Sequence, residues 1–167
     1  YPARADLTGA SLADADFNGA TLTQADLTGA DARGAQNLSP APDTVTTNLI
    51  RPDGTVDGLD LSGGRTLTVR DYDTAPLPVH VAGPMTMGDG TLRLVLDADA
   101  WGSEMSFDPG AAVALGGTLG LGFADGVDVA AQAGRTFGLF DWTGVAQRMS
   151  YAPARIGRVA DQGRPLA

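Results

Sequence analysis

The start of the chain, over 1–38, repeats a pattern of five. From Ala5 it reads ADLTG, ASLAD, ADFNG, ATLTQ, ADLTG, ADARG, AQNLS. Ala opens each unit at positions 5, 10, 15, 20, 25, 30 and 35. The second place is polar: Asp6, Ser11, Asp16, Thr21, Asp26, Asp31. The third place is large and apolar at Leu7, Leu12, Phe17, Leu22 and Leu27, then weakens to Ala32. Neither the 3.6-residue period of a helix nor the 2-residue period of a flat strand produces a strict five. A chain that turns a corner at every fifth position does. Only a small side chain fits inward beside each corner, hence Ala. One large residue per side fills the axis, hence the repeat core Leu7, Leu12, Phe17, Leu22 and Leu27. With four sides, residue i stacks on i+20 at the ~4.8 Å spacing of paired strands. Leu7 is then expected against Leu27, Ala5 against Ala25 and Ala10 against Ala30. The same register sets Asp6 beside Asp26, a like-charge pair that needs solvent or a cation.

Seven units make fewer than two coils, and stacked repeats need roughly three or more units plus caps to bury their ends. One end leans on the rest of the chain. The other, near Tyr1, is covered by upstream coils or another molecule, or it frays. The register fails after Ala32 and Asn37, and Ser39-Pro40-Ala41-Pro42 marks the exit. From there the apolar positions alternate in pairs or triplets: Leu59/Leu61, Leu67/Val69, Leu77/Val79/Val81, Met85/Met87, Leu92/Leu94/Leu96, Met105/Phe107, Val113/Leu115, Leu119/Leu121/Phe123, Val127/Val129 and Phe137/Leu139. Gly- and Asp-rich turns separate them. Period 2 between regular turns predicts strands, arranged as a solenoid-like stack or as an antiparallel sandwich. The one helix candidate is the short Val127–Ala133. The predicted organisation is a repeat helix over 1–38, a connector over 39–48, a β domain over 49–145 and an irregular tail over 146–167.

The A-[DN]-[LF]-x-x units resemble the pentapeptide-repeat family. That resemblance implies a right-handed quadrilateral β-helix, followed here by the solenoid-like or sandwich β domain, an all-β chain throughout. The stretches TNLIRPDG (Thr47–Gly54), VRDYD (Val69–Asp73), DADAW (Asp97–Trp101) and LGGTLGLGFADGVDVAAQAGRTFGLFDWTGV (Leu115–Val145) are similar to secreted planctomycete-type proteins. Those carry pentapeptide repeats, a β domain and a C-terminal PEP-type sorting segment. The resemblance covers roughly 5–145 and implies a secreted or cell-surface life, with no catalytic residue to carry over. After DWTGV this sequence departs from that group. It runs AQRMSYAPARIGRVADQGRPLA, which lacks both strand alternation and a Pro-Glu-Pro segment, and reads as a divergent or frame-shifted tail, largely disordered.

Composition narrows the chemistry. The 167 residues include 27 Ala, 23 Gly, no Cys and no Lys, which excludes disulfides and thiolate metal centres. One His excludes a His-pair metal site. No apolar run approaches the ~20 residues that span a bilayer as a helix. The acids are 19 Asp and one Glu, against 11 Arg. Residues 1–147 hold seven Arg and 19 acids, a net −12, whereas 148–167 hold four Arg and one acid, a net +3. Such a body repels phosphates, so no nucleic-acid partner is expected. The sequence begins at Tyr1 without Met, which reads as a processed chain or a fragment.

Few residues suggest a site. His80, in Pro78-Val79-His80-Val81, needs a nucleophile and an orienting carboxylate to act in catalysis; alternation alone explains it as an outward strand residue. Turn-borne oxygens suit Ca²⁺, so the calcium candidates are Asp53, Asp57 and Asp60 in DGTVDGLD and Asp97, Asp99 and Glu104 in DADAWGSE. Neither run has EF-hand spacing, and Asp in turns serves the backbone by itself. No other cofactor is expected. Asp97 and Asp99 lack the designed separation of glycosidase carboxylates. Trp101 and Trp142 read as a sugar platform or as covers over the core. The Gly-rich run Gly116–Gly122 lacks the G-K-[ST] of a phosphate loop.

Three function classes follow. The first is a non-catalytic exported structural protein: a spacer, adhesin part, matrix or filament subunit that self-associates by end-to-end stacking. The second is an acidic binding module that imitates DNA. The third is a calcium- or carbohydrate-binding β module.

Overall fold

The computed structural model describes residues 4–71, 77–97 and 101–145, and the backbone of 155–156. Among these residues the chain is all-β, with no α-helix and a single 3-10 turn at Ala130–Gln132, inside the predicted helix candidate. The repeat turns once per unit, at Thr8-Gly9, Ala13-Asp14, Asn18-Gly19, Thr23-Gln24, Thr28-Gly29 and Arg33-Gly34. Parallel bridges join Asp6 to Asp26, Ser11 to Asp31 and Asp16 to Gln36. Each partner lies four units further along the chain, so four units make one coil.

The Asp column at the second place has a local cause. Asp6 Oδ1 accepts the Thr8 N–H at 3.0 Å, Asp16 Oδ1 the Asn18 N–H at 2.9 Å and Asp26 Oδ1 the Thr28 N–H at 2.9 Å. Each carboxylate closes the turn that follows it, as Asx side chains do. The stacked Asp6 and Asp26 are thus each solvated by a backbone donor.

Coiling continues past Ser39-Pro40-Ala41-Pro42. Asp26 pairs onward with Val45 and Asp31 with Ile50, both in parallel and both one position short of the four-unit step. The coils then widen. A first sheet holds β1 (Thr55–Asp60), β3 (Val79–Thr86), β5 (Met105–Phe107) and β6 (Val113–Ala114). A second holds β2 (Thr66–Arg70), β4 (Thr91–Leu96), β7 (Thr118–Phe123) and β8 (Arg155–Ile156). Thr55 faces His80 and Thr66 faces Thr91, a coil longer than the repeat's by one whole unit. The step grows again, by one position where Val79 faces Met105 and by two where Thr91 faces Thr118. It is longer still where Met105 bridges Phe140 and where Thr118 faces Arg155.

Every ladder between described strands is parallel, so an antiparallel sandwich does not describe this part of the chain. Most of the predicted alternation lands where it should. Val79 and Val81 on β3, Leu67 and Val69 on β2, and Leu92 and Leu94 on β4 are fully buried. Val127/Val129 and Phe137/Leu139 form no strand, and only Phe140 bridges to the stack. Of the predicted tail, 155–156 pair with Thr118 and Leu119; its remaining residues lie outside the described set.

Two apolar clusters fill the axis. Leu22, Ala25, Leu27, Ala30, Ala32, Ala35 and Leu49 form the narrow one. Ile50, Val56, Leu59, Leu61 and the inward residues of both sheets form the wide one. The seam falls between neighbours Leu49 and Ile50. Among the described residues nothing caps the axis at the first coil: Leu7, Leu12 and Phe17 are only partly buried, whereas Leu22 and Leu27 are buried.

The wide coils share a corner built from Gly63-Gly64, Gly88-Asp89-Gly90 and Gly116-Gly117. Asp89 Oδ1 accepts the N–H groups of Gly63 at 2.6 Å and Gly64 at 3.0 Å. Gly117 has φ +56°, and a Cβ there would stand 2.1 Å from the Gly90 carbonyl oxygen. Gly117→Ala is expected to cost about 3 kcal/mol, since a left-handed conformation and a backbone clash coincide. Gly122→Ala, where an added Cβ meets nothing within 4 Å, is expected to change stability by less than about 1 kcal/mol. Urea denaturation of the two variants checks the contrast.

The Gly64, Asp89 and Gly63 backbone N–H groups hold the Asp89 carboxyl below its ordinary 3.8. Asp60 is lowered by the Ser62 hydroxyl and N–H, and Asp6 by Thr8. A depressed folded-state value means that the unfolded chain binds these protons first. The stabilisation is complete above 3.8 and drains as pH falls through the lower folded values. Tm is therefore expected to fall between roughly pH 4 and pH 2. Asp89→Ala should lower the neutral-pH Tm and flatten that acid slope in calorimetric scans.

Candidate functional site

The five described calcium candidates, Asp53, Asp57, Asp60, Asp97 and Glu104, do not form a metal-holding group. Among the described residues no group of three or more His, Asp or Glu side chains is placed to hold a metal ion. Asp53 Oδ1 accepts the Thr55 N–H at 3.0 Å. Asp57 pairs with Arg51. Asp60 accepts the Ser62 N–H at 2.9 Å and lies 3.7 Å from Arg65. Glu104 is exposed, Asp97 is partly buried, and Asp99 lies outside the described residues, as does Asp73. Turn closure accounts for the positions of Asp53 and Asp60.

The Trp residues cover the core. Trp142 stacks on Phe107, with ring centroids 5.1 Å apart, and on Phe140 at 5.0 Å. Trp101 packs against the wide cluster. Its indole N–H is buried without an acceptor among the described residues, so it is not the wet N–H such a cover usually keeps.

His80 has the two companions that catalysis would require. It lies on the outer face of β3, opposite Ser106 in the β5 register. Its Nδ1 is 3.0 Å from Ser106 Oγ, and its Nε2 is 3.0 Å from Asp108 Oδ1. The carboxylate requires a proton on Nε2, so in the neutral ring Nδ1 accepts from the serine. This is a serine–imidazole–carboxylate relay with the ring ends exchanged relative to hydrolytic triads, where the serine sits on Nε2. Backbone donors around Ser106 are engaged in ladders: the Met105 N–H donates to Leu139 and the Asp108 N–H to Val81. Neither of these two N–H groups is free to stabilise an oxyanion, usually the largest catalytic term. About two-fifths of the His80 side chain is exposed, so water is not excluded. The trio is a polar rung that ties one coil to the next. Its sequence signal is parity: His80, Ser106 and Asp108 all occupy outward positions.

A groove of about 1290 Å³ separates the 38–49 segment from the outer face of β1 and β3. Leu38, Pro40, Thr47, Asp57, Gly58 and Pro84 line it, and no aromatic residue does. At its floor Asn48 completes the free edge of β1: its Nδ2 donates to the Asp60 carbonyl at 2.7 Å, and its Oδ1 accepts the Asp60 N–H at 2.9 Å. The carboxamide therefore acts as one rung of a missing strand.

The most deeply set charged residues are ones that composition did not single out. Arg33 and Asp31 are 2% and 3% exposed. Arg33 Nε donates to Asp31 Oδ1 at 2.9 Å, and Nη2 to Oδ2 at 2.6 Å. Arg33 Nη1 also donates to the Leu77 carbonyl at 2.7 Å and to Ser103 Oγ at 2.8 Å, and Nη2 donates to the Arg70 carbonyl. Ser103 Oγ donates its own hydrogen bond to Asp71 Oδ1 at 3.0 Å. One guanidinium thus joins the narrow coil to two loops of the wide ones. The only hint in the sequence is ADARG, where the repeat weakens.

Residues 3–36 match the family model for pentapeptide repeats in eight copies. This segment is a pentapeptide-repeat array. In a separate comparison, 81 residues, 48% of this chain, are 37% identical to a dihydroorotase of Streptomyces coelicolor, and they span 18% of that protein. No solved structure matches the chain significantly. Among the described residues no helix is long and apolar enough to cross a membrane.

Removing the guanidinium strands a buried carboxylate and two carbonyls. Arg33→Met is expected to cost about 3–5 kcal/mol. Adding Asp31→Leu should return much of it, because the uncompensated charge goes too. Denaturant midpoints of the single and double variants test this.

Proposed function

We propose that the chain is a non-catalytic structural module of an exported or surface protein: a right-handed, four-sided β-helix of pentapeptide repeats continued by a wider β-solenoid. It serves as a spacer, adhesin part, matrix or filament subunit, and it associates with further copies end to end. The open first coil carries this reading. Asp26 turns its N–H and C=O down toward Ala5 and Leu7. By the same alternation, those groups of Asp6 and Asp16 face away from the stack, where no described residue pairs them. Leu7, Leu12 and Phe17 stand partly exposed on the same end. An unpaired edge over an apolar axis templates another coil, as edge strands do, and a heterologous contact of that kind propagates unless it closes. Export rests on the resemblance of residues 5–145 to the secreted group. The dihydroorotase likeness adds no site to this reading, since it covers under a fifth of that enzyme.

Sedimentation velocity across a concentration series tests the assembly. The mass of the wild-type chain should grow with concentration. Phe17→Asp, which sets a charge on the open axis, should hold it at the monomer while circular dichroism stays that of the folded chain. A wild-type chain that is monomeric throughout contradicts the assembly.

A further inference from the structure

The outer face of the second sheet carries two arginines without a side-chain partner among the described residues. Other described arginine side chains are engaged: Arg33 with Asp31, Arg51 with Asp57, Arg65 with Asp60, Arg4 with Gln24 and Arg135 with Gln132. Arg70 on β2 and Arg93 on β4 have no side-chain hydrogen bond or ion pair among the described residues. Thr68 faces Arg93 across the β2–β4 ladder, so Arg70, two positions on, is its diagonal neighbour on the same face. That places their Cβ atoms about 7 Å apart. From there both guanidinium groups can reach one anion on this face.

The space for it exists. A cavity of about 150 Å³ is lined by Thr68, Arg70 and Arg93, by Gly9, Ala10 and Ser11 of the first coil, and by Asp31. Asp31 is the one carboxylate in the lining, and Arg33 already holds it. The next strand keeps the face bare. Arg93 faces Gly120 and Val95 faces Gly122 on β7. A Cβ on Gly120 would meet the Arg93 stem at 3.8 Å, and one on Gly122 would meet nothing within 4 Å. Glycine inside a strand leaves room for another group to approach the backbone closely.

We propose that Arg70 and Arg93, with the Thr68 hydroxyl, bind a single tetrahedral oxyanion: a sulfate or phosphate group, free or as an ester. Guanidinium forks match such oxygens in geometry as well as charge. The volume takes one such group, and the net charge of −9 repels a long polyanion. The site is independent of the self-association above.

Isothermal titration of the full chain with sodium sulfate and with sodium phosphate, at ionic strength fixed with sodium chloride, tests it. Saturable heat with one or both ions is expected, together with a loss of about tenfold or more in affinity for Arg93→Ala. Arg93 is exposed, so that variant should keep the wild-type melting curve. A phenyl phosphate arm separates the ester from the free ion, and binding by either supports the site. No saturable heat with any of the three overturns the proposal, as does undiminished affinity in folded Arg93→Ala. Tighter binding of a sulfated polysaccharide than of the single ions overturns the restriction to one group.

Discussion

A coil of four pentapeptide sides meets a coil one unit longer, and the wider turn reaches past the narrower one. Its backbone carbonyls at Arg70 and Leu77 then lie over no strand of the repeat. Arg33 supplies the missing donors, and Asp31 supplies the charge that lets a guanidinium stay buried there. A buried ion pair by itself is weak evidence of stability, because desolvation offsets the attraction. Here the pair is backed by two carbonyls and by Ser103, so most of the guanidinium's donors are spent. The junction also sets register. With Arg33 fixed, the loops at 70–71 and 102–103 are joined to one point of the repeat, and the sheets above them follow.

The rest of the stack is simpler. Inward positions are apolar from Leu22 to Val113, and each coil satisfies the backbone of the one below it. Polar groups that survive on the outer face do coil-to-coil work: His80 on Ser106 and Asp108, Asn48 on Asp60, and Asp89 on Gly63 and Gly64. Each sits at a place where two coils need a polar link or where a strand edge is left over. The acidity is largely of this kind. Asp side chains close turns at Thr8, Asn18, Thr28, Thr55 and Ser62, so they reflect geometry more than ligand binding. Arg70 and Arg93 stand out against that background because nothing described in the stack uses their charge.

The repeat was legible because its information is local. Ala beside a corner, Leu on the axis and Asp capping a turn are each decided within a single unit. Strand positions in the second half were legible for the same reason, since alternation reports which face is wet. Past Phe123 alternation persists but strands do not, because the coil there is longest and its apolar residues lean on the end of the core, as Phe140 and Trp142 do. The continuation of coiling through 39–48 was not legible. Val45 and Ile50 stack one position short of the repeat register, and a single deleted position hides the period.

What the sequence determined by itself was the coil: its five-membered sides, its axial residues, its turn caps and the wet or dry face of most strands. These follow from sterics and short-range hydrogen bonds. Tertiary structure alone decided that the strands of the second half pair in parallel. It alone decided that the coils widen from the Asp6–Asp26 step to the Met105–Phe140 step, and that Arg33 is met by groups 37, 44 and 70 residues away. It also brought His80 to residues 26 and 28 positions on. Alternation fixes a face but not a neighbour, and the length of each loop decides which residue arrives above which.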